Sequence, residues 1–209
     1  ADLELRDGAV HVRGVSDRAL PLREVARAAS VSRALAAGLT PGLEALDYYT
    51  QEKMTYGHGL HLVLVEVDGE TGCPRILRYA IAYDVGRAIN PMLVEGQIVG
   101  GLAQGLGAAL HEELAYDDNG QLAAGTLMEY HLPAAADMPP LQLWVREEDP
   151  SPTNPLGVKG AGEDGIVAAG GAVANAVADA LAPLGVEIRS LPLRPSRLRE
   201  LIQAAATRP

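Results

Sequence analysis

The N-terminal part of the chain carries two successive hydrophobic patterns. Residues 3–12 alternate apolar and polar side chains on both sides of Asp7-Gly8. Asp-Gly readily adopts the positive φ angles of a tight turn, so this alternation predicts a β-hairpin. In residues 20–29 the apolar side chains recur at helical spacing, with Pro21 near the start. A helix is expected there, because proline fits the first helical turn.

The middle of the chain predicts two strands and one long helix. Residues 60–67 and 76–85 are rich in apolar and β-branched side chains and are separated by a polar turn, so they predict an antiparallel pair. Asn90 fits a helix N-cap, and Pro91 then occupies the first helical position. The helix that begins there is expected to continue to about Glu113.

The rest of the chain mixes shorter elements without a strict βαβ order. Strands are expected at residues 126–132, 141–146 and 185–188, and helices are expected at residues 166–181 and 196–206. Strands and helices that are interspersed in this way predict an α+β fold.

Composition narrows the range of functions. The chain has 209 residues, and its 17 Lys and Arg against 27 Asp and Glu give a formal net charge of −10. Nucleic acids and anionic membranes are bound through basic patches, so this balance disfavours a general binder of either. The single cysteine, Cys73, excludes an internal disulfide, a Cys-ligated iron–sulfur cluster and a Cys-rich zinc site within this chain.

The length, the apolar runs and the start of the chain lead to three further expectations. A chain of this length forms either one large domain or two small ones. No uninterrupted apolar run is long enough to span a membrane. No basic-then-apolar leader is visible from Ala1, and this favours a cytoplasmic protein.

The long helix is unusual because it contains five glycines, Gly96, Gly100, Gly101, Gly105 and Gly107. Each interior glycine costs about 0.5–1 kcal/mol of helix stability relative to alanine. A compensating reason is therefore expected, and the best one is very close approach by another backbone or by a ligand.

Two glutamines lie on one face of the same helix. Gln97 and Gln104 are seven residues apart, which is two helical turns. They are either the polar edge of a core helix or amides that point at a ligand, and the spacing alone slightly favours the first interpretation.

Residues 157–165 form a glycine-rich loop that contains Glu163. The simplest interpretation is a connection that follows a proline-rich segment. The functional interpretation starts from Glu163, because a carboxylate among glycines that is covered by a ligand suits general-base chemistry. The glycines also let main-chain N–H groups approach an anionic or oxo group next to a helix N-terminus.

The same loop satisfies the dinucleotide-binding pattern G-x-G-x-x-G. Gly160, Gly162 and Gly165 are its glycines, and Glu187 is the candidate acid for a ribose. The pattern requires a hydrophobic strand directly before the first glycine. Pro155 lies in that place and is incompatible with a central parallel strand, so this alternative is the weaker one.

Two other kinds of site are not expected. The histidines form no H-E-x-x-H motif or other complete ligand set, so the sequence predicts no metal ion held by side chains of this chain. No serine or cysteine lies in a recognisable nucleophile elbow.

Ordered motifs occur between residues 63 and 193. They are Asp84-Val85-Gly86, Ile89-Asn90-Pro91, Gly96-Gln97-Ile98-Val99-Gly100-Gly101, Gln104-Gly105-Leu106-Gly107, Glu129-Tyr130-His131-Leu132-Pro133 and Asn154-Pro155-Leu156-Gly157-Val158-Lys159-Gly160-Ala161-Gly162-Glu163. In order and spacing they resemble the C-terminal region of the molybdenum hydroxylase large subunit. That family includes xanthine dehydrogenases, aldehyde oxidases and aerobic carbon monoxide dehydrogenases, and the resemblance looks closest to the last branch.

The resemblance implies a mixed sheet with packed helices that binds molybdenum on a pterin, commonly the cytosine dinucleotide form in bacterial members. Such enzymes oxidise a small substrate with oxygen derived from water. The family's glutamate maps onto Glu163, whose implied role is that of a general base toward a metal-bound hydroxide. The residues implied on the cofactor side are Gln97, Gly100, Gly101 and Gln104, and those implied near the molybdenum are Gly160, Ala161 and Gly162.

The resemblance also implies partners. Iron–sulfur clusters and FAD, which carry the electrons away, are expected on other domains or subunits. A family large subunit is several times longer than this chain, so residues 1–209 match a C-terminal domain with a possible subdivision into 1–58 and 59–209. The isolated chain is expected to be inactive without the remainder of the molybdenum subunit. The main alternative is a non-catalytic assembly or interaction domain with the same fold.

Overall fold

The computed structural model describes residues 2–15, 18–51 and 53–207. The prediction about a leader concerns Ala1, which lies outside the described residues. The density of internal contacts divides the chain into two compact units, Ala1–Thr50 and Gln51–Pro209. The domain boundary that the sequence places at residue 58 stays a prediction.

The first unit contains a small antiparallel sheet and two short helices. The predicted hairpin is confirmed, and its turn residues Asp7 and Gly8 both have positive φ angles. A third strand pairs antiparallel with the second strand of the hairpin. The elements are β1 (Leu3–Arg6), β2 (Ala9–Val12), β3 (Ala19–Pro21), α1 (Leu22–Ala28) and α2 (Val31–Ala36).

The second unit is built around a mixed three-stranded sheet. Its second strand pairs antiparallel with the first and parallel with the third, so the predicted α+β class and mixed sheet are confirmed. The elements are β4 (His58–Val67), β5 (Pro74–Asp84), α3 (Pro91–Leu110), β6 (Leu141–Arg146), α4 (Ala169–Leu181) and α5 (Pro195–Ala206). Short 3-10 helices lie at Ala135–Asp137 and Ala182–Leu184.

Two strands predicted from the sequence are wrong. Residues 126–132 form a turn instead, because the Thr126 carbonyl accepts hydrogen bonds from the N–H groups of Glu129 and Tyr130. Residues 185–188 join no sheet. Gly185 has a positive φ angle there and ends the helical segment, as glycine commonly does.

The long helix α3 begins as the sequence predicts. The Asn90 side chain accepts a hydrogen bond from the Leu93 N–H at 3.2 Å, and Pro91 is the first helical residue. The helix ends at Leu110, a little before the predicted Glu113. Of the helices in the described residues, none has the length and apolar character needed to cross a membrane.

The core of the second unit lies between the sheet, α3 and α4. Its fully buried side chains come from all three, and they include Tyr79, Ile81, Ile98, Leu102, Val173 and Val177. Each buried aliphatic side chain of this kind contributes about 1.5–3 kcal/mol.

Three of the five glycines in α3 lie against other parts of the same chain. A Cβ atom on Gly105 would lie 2.4 Å from the Ala169 Cβ, and one on Gly101 would lie 3.0 Å from the Gly165 Cα. Gly107 lies closer still, against the Glu112 side chain. Close approach by the chain's own backbone and side chains is therefore the reason for these three glycines.

Candidate functional site

The entry to the glycine-rich loop is fixed to the end of β5. The Lys159 N–H donates to the Val85 carbonyl at 2.9 Å, and the Arg87 N–H donates to the Gly157 carbonyl at 3.0 Å. The Asn154 side chain adds two hydrogen bonds to the main chain of Val158, at 2.9 and 3.1 Å. The loop therefore begins from a rigid position.

A nearly buried lysine anchors the same segment. The Lys159 ammonium lies 2.6 Å from Asp84 and 3.2 Å from Asp149. Burial raises the pKa of Asp84, but hydrogen bonds from Lys159 and from the Gly86 N–H more than offset this, and the pKa is lowered overall. The pKa of Lys159 is raised by its hydrogen bond to Asp84, so this pair is charged at neutral pH.

The exit of the loop packs directly on α3. A Cβ atom on Gly165 would lie 2.0 Å from the Ile98 carbonyl oxygen and 2.7 Å from the Leu102 nitrogen, so only glycine fits. The Glu163 carbonyl accepts a hydrogen bond from the Ile166 N–H at 3.1 Å and forms the turn that precedes α4. This turn also explains why α4 begins at Ala169 and not at the predicted Ile166.

Between these anchors the main chain of the loop is open. Gly160 and Gly162 are exposed, and Ala161 is half-buried. Their N–H groups and that of Glu163 have no hydrogen-bond partner in the part of the chain that the structure describes. Successive free N–H groups in a loop of this kind form a site for anionic or oxo groups.

The exposed face of α3 lies beside the loop. Gln97, Gly100 and Gln104 are all exposed, and the surroundings of Gly100 are open. A Cβ atom on Gly162 would lie 3.9 Å from the Gln97 Oε1, which brings this amide next to the loop. Gly101 differs because it is buried against Gly165.

Glu163 is exposed at this opening, whereas the next residue is buried. Asp164 is only 7% exposed, and its Oδ2 has no hydrogen-bond partner among the described residues. Burial, followed by the charge of Asp84, raises the pKa of Asp164 to about 6. The loop therefore carries one carboxyl group at the surface and a second carboxyl group beneath it.

Sequence reasoning missed the residues beneath the loop. His61, a residue of β4, lies with Nδ1 2.9 Å from the Tyr79 hydroxyl and Nε2 3.2 Å from the Asp164 carbonyl oxygen. A usable signal was the alternation of Gly57, Gly59 and His61 on one face of this segment. Glycines in such a segment indicate close approach, and a Cβ atom on Gly57 would lie 3.0 Å from the Asp164 Oδ1.

The structural context required by the dinucleotide-binding pattern is missing. In the described residues β6 ends at Arg146, well before Gly160, and the intervening segment is irregular. Glu187 follows the last helical turn on a segment that joins no sheet. The alternative dinucleotide interpretation is therefore set aside.

No group of three or more His, Cys, Asp or Glu side chains is placed to hold a metal ion in the described ranges. What the site offers is a set of main-chain N–H donors, two exposed amides and one exposed carboxylate. Donors of this kind can hold the oxygen atoms of a large anionic cofactor, and the carboxylate can accept a proton beside it.

An open glycine-rich loop with free N–H donors on an α+β scaffold is compatible with a cofactor-binding domain. The profile of the molybdopterin cofactor-binding domain family matches residues 1–139, and the chain belongs to that family.

The curated relatives include a subunit of a dehydrogenase complex and the large chain of another dehydrogenase. The gamma subunit of the 6-hydroxypseudooxynicotine dehydrogenase complex of Paenarthrobacter nicotinovorans is 43% identical over 197 residues, which are 94% of this chain and 25% of the relative. The carbon monoxide dehydrogenase large chain of Afipia carboxidovorans is 35% identical over 87% of this chain and 22% of its own length. The chain thus spans about a quarter of the length of these relatives.

Two solved structures match nearly the whole of this chain. Quinoline 2-oxidoreductase from Pseudomonas putida 86 matches with a TM-score of 0.86 and 40% identity over 100% of this chain and 26% of the other. The Cu,Mo-CO dehydrogenase matches with a TM-score of 0.87 and 33% identity, and the match covers 98% of this chain and 25% of the dehydrogenase chain. The expected relationship to a region of the molybdenum hydroxylase large subunit is confirmed.

Proposed function

We propose that this chain is the cofactor-binding and catalytic-base part of a molybdenum hydroxylase. The whole enzyme hydroxylates or oxidises a small substrate with oxygen derived from water. The observation that supports this most is the exposed carboxylate of Glu163 directly after the open N–H groups of Gly160, Ala161 and Gly162. The alternative, a non-catalytic assembly or interaction domain with the same fold, would have no need of this arrangement.

The residues present fit a molybdopterin cofactor, and we propose that it is the cytosine dinucleotide form. The free N–H groups of residues 160–162 would donate to its oxygen atoms, and the amides of Gln97 and Gln104 would bind it from α3. The open space at Gly100 lets the cofactor approach the helix backbone. When bound, the cofactor supplies a two-electron redox centre.

Gly101 and Glu163 have different proposed roles, because the first is buried and the second is exposed. Gly101 acts from beneath, because its missing side chain lets the loop residue Gly165 pack on α3. Glu163 acts at the surface, where its carboxylate accepts the proton of the attacking water-derived oxygen. Cover from the remainder of the subunit would exclude bulk water from this carboxylate and hold it for proton transfer.

The proposal includes an assembly. The chain spans about a quarter of its relatives' length, and those relatives are named as subunits or as a large chain. The remainder of the molybdenum subunit would complete the site, and iron–sulfur and FAD-containing subunits would accept the electrons in the cytoplasm. The isolated chain would then have no turnover.

The test is isolation of the assembled complex. We expect stoichiometric molybdenum, a cytosine nucleotide released by acid hydrolysis, and the visible absorption of iron–sulfur clusters and flavin. Turnover would be assayed with nicotine, quinoline, an aldehyde and carbon monoxide, the kinds of compound that the relatives' names indicate. A stable complex that lacks molybdenum would contradict the proposal and support the assembly domain.

A matched pair of glycines in α3 tests the cofactor contact. Gly100→Ala adds a methyl group on the proposed cofactor face, whereas Gly96→Ala adds one at another exposed and open position. We expect a lower molybdenum content for the first variant and an unchanged content for the second. Equal molybdenum content in both would argue against cofactor contact at Gly100.

A further inference from the structure

The side chain of His61 bridges the sheet and the glycine-rich loop. Its Nε2 lies 3.2 Å from the carbonyl oxygen of Asp164, and its Nδ1 lies 2.9 Å from the Tyr79 hydroxyl. A carbonyl oxygen can only accept, so Nε2 carries the hydrogen and donates it. Nδ1 must then accept the hydroxyl hydrogen of Tyr79, and the tautomer of the imidazole is set by these two partners.

The environment of this bridge keeps both rings neutral and fixed. His61 is 7% exposed and Tyr79 is 0% exposed. The Tyr79 and Tyr83 rings meet the imidazole edge to face, with centroids 5.7 and 6.2 Å away. Burial lowers the pKa of His61 and raises that of Tyr79, so neither group changes its charge at neutral pH.

The peptide that His61 holds directly follows Glu163, and the next residue, Gly165, is held by α3. Gly165 lies against the backbone of Ile98 and Leu102, where no side chain fits. The Glu163 carbonyl is also fixed, because it accepts hydrogen bonds from the N–H groups of Ile166 and Val167. The backbone on which the Glu163 side chain stands is therefore held at several points, while the carboxylate itself is exposed.

We propose that His61, oriented by Tyr79, is a positioning residue that fixes the direction in which Glu163 presents its carboxylate. This inference rests on the proposed role of Glu163 as a base. The hydrogen bond from His61 to the Asp164 carbonyl can affect Glu163 only through the backbone. Loss of this hydrogen bond therefore misplaces the Glu163 carboxylate and leaves the carboxylate's ability to accept a proton intact. Misplacement of a reacting group by about 1 Å can reduce the rate by about 100-fold.

The experiment compares His61→Leu and His61→Gln in the assembled enzyme. Leucine removes the donor, whereas glutamine keeps an N–H donor that can reach the Asp164 carbonyl. For His61→Leu we expect kcat to fall at least 10-fold with KM changed less than twofold. Deuterium exchange at the amides of Ile166 and Val167, followed by mass spectrometry, is expected to become at least 10-fold faster. His61→Gln should recover most of both losses.

Glu163→Gln separates this inference from the proposed function. It should lower kcat at least about 100-fold and leave the exchange rates of the loop unchanged, and full activity in that variant would contradict the role of Glu163 itself. Unchanged exchange in His61→Leu, or faster exchange with unchanged kcat, would overturn the positioning role of His61.

If His61→Leu does not fold, Tyr79→Phe tests the positioning role instead. We expect a two- to fivefold fall in kcat and faster exchange in that variant. No change in Tyr79→Phe would overturn the inference.

Discussion

At the scale of single residues, Asp164 and Glu163 show how neighbours in sequence acquire opposite environments. Glu163 is exposed, whereas Asp164 is directed into the second unit, where Gly57 leaves room for its carboxyl group. The Oδ2 of Asp164 lacks a hydrogen-bond partner among the described residues. A buried carboxylate without a partner is unfavourable, so Asp164 costs stability whenever it is ionised.

The first prediction concerns the pH dependence of this cost. The pKa of Asp164 is raised from its ordinary 3.8 to about 6, so the folded state binds the proton more tightly than the unfolded state does. Stability therefore falls as pH rises from about 4 through 6, and the penalty is complete above that range. Asp164→Asn should raise the free energy of unfolding by about 1–3 kcal/mol at pH 7.5 and by much less at pH 3.5.

Denaturant unfolding at the two pH values measures this difference, with the exposed Asp118→Asn as the control. An equal effect of Asp164→Asn at both pH values would show that its ionisation in the folded state carries no penalty.

At the scale of secondary-structure elements, α3 has two different faces. Gly101 and Gly105 pack against the loop and α4, whereas Gly96 and Gly100 face open space. Of the two reasons that the sequence offered for these glycines, close packing and approach by a ligand, the structure shows the first for Gly101 and Gly105. The structure accounts for the packed glycines, and of the two open ones Gly100 is the one that we propose to face the cofactor.

The second prediction uses this difference. Gly105→Ala should destabilise the protein by about 1–3 kcal/mol, because its methyl group would overlap Ala169. Gly96→Ala should stabilise it by about 0.5–1 kcal/mol, because alanine favours a helix and the position is open. Thermal unfolding of the two variants measures both changes in stability. Destabilisation by Gly96→Ala would contradict the open surroundings of Gly96.

Elements with a strong local signal were predictable from the sequence. The hairpin at Asp7-Gly8, the strand pair β4–β5 and the start of α3 at Asn90 are examples, since turn, alternation and cap residues lie close together in sequence. The segment 126–132 was not predictable, because hydrogen bonds to the Thr126 carbonyl favour a turn over its strand-like composition.

The candidate site was predictable only in part. The sequence singled out the loop and the exposed glutamines, because glycine density and helical spacing are local. His61 and Asp164 are 103 residues apart, and Lys159 and Asp84 are 75 residues apart. Contacts over such separations depend on how the elements pack, and no local pattern reveals them.

At the scale of the whole molecule, one face of the β4–β5–β6 sheet carries several exposed apolar side chains. Leu60, Leu62, Leu64 and Trp144 are each half or more exposed, and Leu60 and Trp144 lie on either side of Ala82. An exposed apolar patch of this kind is typical of a surface that contacts another part of an assembly. It is consistent with a chain that spans about a quarter of its relatives' length.

The third prediction concerns the junction between the two units. Residues 44–51 and 53–57 contain no regular secondary structure, and most of their side chains are exposed, including Lys53. Proteases cleave exposed irregular segments first. Brief trypsin treatment should cut after Lys53 and leave a stable fragment 54–209, identified by mass spectrometry. Lys53→Gln should remove this cut, and a first cut within β4, β5 or α3 would contradict the prediction.

The central claim, that Glu163 is the base beside the cofactor, is tested most directly by Glu163→Gln in the assembled enzyme. The exposed Glu70→Gln, at the β4–β5 turn, serves as the control. We predict that Glu163→Gln retains its molybdenum and loses at least about 100-fold in kcat, because general-base catalysis contributes about 10²–10⁴-fold. Glu70→Gln should keep both properties. Full turnover by Glu163→Gln with normal molybdenum content would contradict the account.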